Sequence, residues 1–261
     1  MTEEELLREI KRLNNGIDGI SDDLINVIEK YQREYERSLY KINFDVEKGY
    51  IATNMSNYRR AMSIDAFSKL GFEQIGISYI SQYNNIADAR INFASKIGVD
   101  TSLTFKDLEI LKQLKEIDLT SIYAKGEELD NAIKKALVNA VATGQSYEET
   151  IKSIREDLLG AGDKMGLLAK YADTYLRTSL FGLSRMIDKE IYESVGGFDK
   201  YLYAGTIDGK IRPFCVAHVG NVYTEKQILK FPEQNGSGLD PWFAPGGWNC
   251  RHFLIPANEI E

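Results

Sequence analysis

The chain has 261 residues, of which 43% are hydrophobic and 27% charged, with a formal net charge of −7. That is the balance of a folded protein long enough for one or two domains. No window holds the roughly 18 consecutive apolar residues of a membrane span, so no membrane partner is expected. The acidic start, Met1-Thr2-Glu3-Glu4-Glu5, lacks the basic and apolar stretches of a secretory signal, which points to synthesis in a cytoplasm. The acidic excess speaks against broad adhesion to DNA, because phosphate contacts need clustered Lys and Arg. DNA contact is expected to be weak, and other proteins are the expected partners.

Residue types are segregated along the chain. All five prolines (Pro213, Pro232, Pro241, Pro245, Pro256), both tryptophans (Trp242, Trp248), both cysteines and both histidines lie after residue 212. A stretch without proline is free to run in long helices. The expected fold class is α+β: a long, mostly helical N-terminal region over residues 1–196, then a small α+β domain over 197–261.

In chain order, Ser21-Asp22-Asp23 reads as a cap before the helical spacing of Leu24, Val27, Ile28 and Tyr31, continuing toward Tyr40. Thr104, with Asp107 three residues on, reads as the next helix start. Ser146-Tyr147-Glu148-Glu149 is a better capping box, followed by Ile151, Ile154 and Leu158, and Gly160 and Gly162 end that element. Another helix is predicted from Asp163 to about Ser194, stopping near Gly196-Gly197. Tyr31, Tyr35, Tyr40, Tyr171 and Tyr175 read first as packing residues and secondly as a docking face for a neighbouring subunit. The amphipathic run from Leu24 to Tyr40 suits a partner helix.

Beyond residue 196 the pattern shortens. Tyr201 to Ala204 reads as a strand and Asp208-Gly209 as a tight turn. Pro213 opens a short helix that carries Cys215 and His218. Residues 221–224 read as a strand, 225–230 as a short helix, and 248–255 as a final strand after a long Gly/Pro/Trp loop. Asp208 and Arg212 are expected to pair across the turn.

The whole stock of cysteine and histidine forms two pairs, Cys215-x-x-His218 and Cys250-x-His252. Residues i and i+3 share a helix face, and i and i+2 share a strand face, so each pair can aim at one point. Together Cys215, His218, Cys250 and His252 make a Cys2His2 set suited to structural zinc, although the short Cys-x-His clip departs from finger spacing. Two other readings stay open: buried cysteines beside hydrogen-bonded histidines, or Cys215 as a nucleophile with His218 as its base. Arg251 is expected to face away from the second pair.

The run Asp208-Gly209-Lys210-Ile211-Arg212-Pro213-Phe214-Cys215, then His218, Gly220, Val222 and Tyr223, resembles the signature of Mu F-like phage minor head (head-morphogenesis) proteins. So does the terminal Gly246-Gly247-Trp248-Asn249-Cys250-Arg251-His252, where many relatives end in Cys rather than His. The helical stretch from Tyr171 to Ser184, with Arg177-Thr178-Ser179, is similar to the helix just upstream in that family. The resemblance spans about ninety residues, Tyr171 to Pro256, and rests on the order of the motifs.

It implies a low-copy structural and assembly protein of a phage head, not an enzyme, acting in head morphogenesis or DNA packaging. The portal protein and the major capsid protein would be its partners. Its location would be the host cytoplasm during assembly and then the capsid interior of the virion. Some relatives carry toxin domains after the signature; with the sequence ending five residues after Pro256, none is expected here. The alternative is a small zinc-dependent hydrolase or nuclease built on the C-terminal Cys/His cluster. Catalytic zinc keeps a coordination position open, whereas a four-ligand site is closed.

Overall fold

A computed structural model describes the chain except residues 1–2, 40, 66–70, 100–104, 162–163, 168–170, 233, 235–236 and 258–261. The expectations placed on Tyr40, Thr104, Gly162 and Asp163 lie outside the described residues. The architecture is α+β: long helices with a few short strands. The elements are α1 (Glu3–Leu39), β1 (Val46–Glu47), β2 (Tyr50–Ile51), α2 (Met55–Met62), α3 (Phe72–Lys96), α4 (Phe105–Thr143) and α5 (Tyr147–Leu159). These are followed by β3 (Gly160–Ala161), β4 (Lys164–Met165), a π-helical turn Tyr171–Leu176, and α6 (Arg177–Ser194). The C-terminal elements are β5 (Tyr201–Ala204), α7 (Pro213–His218), β6 (Val222–Tyr223), α8 (Glu225–Ile228) and β7 (Phe253–Pro256). Among the described residues, no helix is long and apolar enough to cross a membrane.

The chain forms two compact units. One comprises Asp23–Ile80 and Ile117–Ala172. Its core holds Phe44, Ile51, Ala61, Leu137, Val141, Ile151 and Ile154. Buried Asn57 organises the β1–β2 hairpin: its amide donates to the carbonyls of Asp45 (2.8 Å) and Ala52 (3.0 Å), and its oxygen accepts the Asp45 N–H. Helix α5 starts as expected, with Ser146 Oγ accepting the Glu149 N–H, and ends on Gly160 at φ +94°.

The other unit comprises Met1–Asp22, Ser81–Glu116 and Asp173–Glu261. Leu6, Ile10, Leu13 and Ile17 recur at helical spacing on α1 and are buried, as are Ile86 and Phe93 of α3, Leu180, Phe181 and Ile187 of α6, and all of β7. The sheet order is β6-β5-β7, antiparallel throughout, with Tyr203 opposite Leu254 and Ala204 opposite Phe253. An exposed ion pair, Lys96 to Glu9 at 2.8 Å, links α3 to α1.

Three expectations change. Ser21-Asp22-Asp23 does not cap a helix, because α1 runs unbroken from Glu3 to Leu39 and Ser21 is buried within it. The helix foreseen from Asp163 begins only at the π-helical turn, after the β3–β4 pair. A boundary at residue 196 also does not divide the compact units. Helix α6 does end at Ser194 before Gly196 and Gly197, both at positive φ, but residues 173–261 fold together in one unit. The reason is polar as well as apolar: Arg185 and Asp188 of α6 are buried, and their partners lie far along the chain.

Candidate metal centre

The central strand β5 and the short helix α7 supply the first half of the site. Pro213 sits in the first turn of α7, where a missing N–H costs nothing, and Cys215 follows on the buried side. The second half is an irregular loop that enters β7. Asn249 adopts φ +56°, a left-handed conformation that asparagine tolerates better than most residues, and this turns the chain so that Cys250 points inward. The strand foreseen over 248–255 is therefore shorter, covering only Phe253–Pro256.

Cys215, Cys250 and His252 come together. One ligand atom from each lies within 4.8 Å of the others, all three residues are buried, and both cysteines are free thiols. His252 Nδ1 stands 3.9 Å from Cys250 Sγ. Tetrahedral coordination at bond lengths of about 2.0–2.3 Å requires ligand atoms roughly 3.5–3.8 Å apart, so small movements would seat an ion. Buried His252 also carries an Nε2 without a hydrogen-bond partner, a polar atom whose desolvation nothing offsets. The group could hold a metal ion, and its two thiols and one imidazole are soft and borderline donors.

His218, the fourth expected ligand, does not join this group. Its Nδ1–H donates to the Phe214 carbonyl at 2.7 Å, and its ring stacks on Phe214 with centroids 3.9 Å apart. Tyr203, Tyr223 and Phe231 surround it further. One turn of helix places Cys215 and His218 on adjacent rather than coincident directions, and the aromatic cluster takes up the imidazole. The nucleophile–base pairing of Cys215 with His218 gains no hydrogen bond either; Cys215 faces Tyr203 Oη at 3.4 Å instead.

The surroundings favour negative charge on Cys250. Burial pushes its thiol up, but the hydrogen bonds from Cys215 and His252 and the nearby Arg185 charge hold it well below its ordinary value. The hydrogen bond to Cys250 and burial raise the Cys215 thiol, so the pair shares one proton. Tyr203 Oη caps both sulfurs, 3.4 Å from Cys215 and 3.7 Å from Cys250.

Two glycines make room for the site. A Cβ on Gly246 would sit 2.5 Å from Cys215 Sγ and 2.9 Å from Cys250 Sγ. A Cβ on Gly205 would sit 2.3 Å from the His252 ring. At both positions only glycine allows backbone to approach the ligands this closely.

Charged residues lock the loop to its neighbours. Arg212 donates to the Gly246 carbonyl at 2.6 Å, while Asp208 accepts two bonds from Arg251, both at 2.7 Å. The expected Asp208–Arg212 pair is thus replaced: each serves the distant loop rather than its own turn. Arg251 does face away from the thiols, as the alternation of the second pair requires.

Sequence reasoning missed Arg185. Its guanidinium is buried and donates to the carbonyls of Phe243 (2.7 Å), Cys250 (3.0 Å) and His252 (3.0 Å). From the same helix, Thr178 Oγ1 accepts the Asn249 N–H at 2.8 Å. The only signal was an arginine in an otherwise apolar helical stretch, Leu180 to Ile187, which reads as a solvated charge until a partner is known. Comparison with protein-family models, curated proteins and solved structures found no match.

Proposed function

We propose that this chain is a minor structural and assembly protein of a phage head, associated with the portal and acting in head morphogenesis or DNA packaging. The observation that carries the reading is the convergence of the motif segments. Asp208, Arg212, Cys215, Asn249, Cys250, Arg251 and His252 are far apart in sequence, yet each contacts another motif segment or the helix before them. A set of motifs kept in fixed order is intelligible when its members build one interlocked module. Portal and major capsid proteins are the expected partners, and the capsid interior is the expected location.

Zinc is the metal this reading assigns to Cys215, Cys250 and His252, in a structural role. A bound ion supplies a cross-link that stabilises only the state bringing the three ligands together. A three-ligand set leaves one coordination position open, which is the arrangement of a catalytic zinc hydrolase or nuclease. Burial of all three ligands and the Tyr203 hydroxyl over both sulfurs oppose substrate access, so the structural role is preferred.

Particles purified from cells expressing the neighbouring portal and capsid genes should contain this chain at low copy. Its absence from such particles would overturn the assembly role. Elemental analysis of protein purified without chelator should find about one zinc per chain, lost in Cys250→Ser; metal-free wild-type protein would overturn the zinc assignment. Hydrolysis of nucleic acid or ester substrates that depends on that zinc would favour the enzyme instead.

A further inference from the structure

A second site lies apart from the cysteines, in the unit built from α1, α3 and α6. There a cleft of about 270 Å³ is lined by Leu13, Ile17 and Ile20 of α1 and by Ile86 and Ala89 of α3. Arg90 of α3 and Ser184 of α6 complete the lining. Both are fully buried, and both carry a polar atom, Arg90 Nη1 and Ser184 Oγ, with no hydrogen-bond partner. Two unsatisfied donors beside an apolar channel are costly, at about 1–3 kcal/mol each, unless something accepts from them.

The guanidinium is held in place. Arg90 Nε and Nη2 donate to the two Asp188 oxygens at 2.6 and 2.5 Å, and the rings of Phe93 and Phe253 lie 4.5 Å from its carbon on two sides. Only Nη1 is left over. The local charge is unbalanced too. Arg185 is buried, donates only to neutral carbonyls, and feels both Arg90 and Asp188, so two guanidiniums share a single carboxylate. The cleft volume is just below the roughly 300–1,000 Å³ of drug-sized sites, so a small ligand fits.

We propose that this cleft binds a small aliphatic carboxylate, its chain against Leu13, Ile17, Ile20 and Ile86 and its oxygens accepting from Ser184 Oγ and Arg90 Nη1. This is independent of the metal site and of the assembly role. Gly16 lines the same cleft, and a Cβ there would meet nothing within 4 Å, so the space is open from the α1 side.

Calorimetric titration of the full chain with octanoate, 1-octanol and octylamine tests the proposal. Saturable octanoate binding, at least tenfold tighter than either alternative, is expected. Gly16→Phe should abolish it by filling the cleft without lowering the melting temperature, because glycine is a poor helix former. Ser184→Ala should weaken it several-fold, and it decides the matter alone if Gly16→Phe fails to fold. No saturation at millimolar octanoate, or unchanged affinity in the folded variants, would overturn the site. Equal binding of octanol would overturn the carboxylate assignment.

Discussion

Arg90 and Asp188, ninety-eight residues apart, meet in a two-pronged ion pair in which each side chain is only 1% exposed. The pair fixes α3 against α6, and α6 in turn carries the arginine that holds the metal-site loop. Taking two charges out of water is costly, so the pair's value lies in placement more than in net stability.

Breaking one side of this pair should therefore be severe. Asp188→Asn leaves a buried guanidinium without its counter-charge and is expected to cost about 3–5 kcal/mol. Replacing both partners with apolar residues, Arg90→Met with Asp188→Leu, should recover most of that loss. Chemical denaturation of the two variants measures the difference; equal losses would show that the pair adds nothing beyond shape.

The same carboxyl should leave a mark on the pH dependence of stability. Burial pushes Asp188 up to about 6 from the ordinary 3.8, against the pull of Arg90. A group that holds its proton more tightly when folded contributes stability that is full below its unfolded pKa. That contribution is lost as pH rises through the folded value. Unfolding free energy should thus fall between about pH 4 and 7, with a limiting slope of about 1.4 kcal/mol per pH unit. In Asp188→Asn this component of the slope should vanish; a wild-type profile that rises across the window, relative to the variant, would contradict it.

How much of this was legible in the sequence follows the range of the forces. Local signals held: the Ser146 cap, the Gly160 stop, the strand at Tyr201 to Ala204, the turn at Asp208-Gly209 and Pro213 at the head of α7. Each depends on residues within a few positions. The false cap at Ser21 failed because tertiary burial overrode a weak local preference, leaving Ser21 buried inside a longer helix. Three of the four Cys/His residues converge, since spacing can say that two side chains share a face but not which neighbours compete for them. His218 was claimed by aromatic rings from four residues, Phe214, Tyr203, Tyr223 and Phe231. Partners of Asp208, Arg212 and Arg185 lie thirty-four to sixty-seven residues away, beyond any pattern of local spacing.

Arg185 and Asp208 offer a contrast between buried and exposed charge near the same loop. Arg185→Met strips the donors from three carbonyls and should cost about 3 kcal/mol or more. Arg185→Lys should rescue little, because a single ammonium cannot reproduce the forked geometry. Asp208→Asn weakens an exposed pair that solvent already screens, and should cost no more than about 1 kcal/mol. Thermal melts rank the three; a larger loss for Asp208→Asn than for Arg185→Met would mean that the turn, not α6, holds the loop.

The sharpest test of the metal centre leaves its ligands untouched. A methyl group added at Gly246 would fall 2.5 Å from Cys215 Sγ, 2.9 Å from Cys250 Sγ and 3.3 Å from Tyr203 Oη, all shorter than ordinary contact. In Gly246→Ala the two sulfurs cannot keep their positions, so a tetrahedral site with bonds of about 2.3 Å cannot form undistorted. Metal affinity should drop at least tenfold while all three ligands remain present. Gly209→Ala is the control: it sits in the same module, and its added Cβ meets nothing within 4 Å. Competition against a zinc chelator, followed by absorbance of a cobalt-substituted sample, reads affinity and geometry separately. Cobalt spectra of tetrahedral intensity and equal affinity in both variants would mean that the thiols do not close around an ion beneath Gly246.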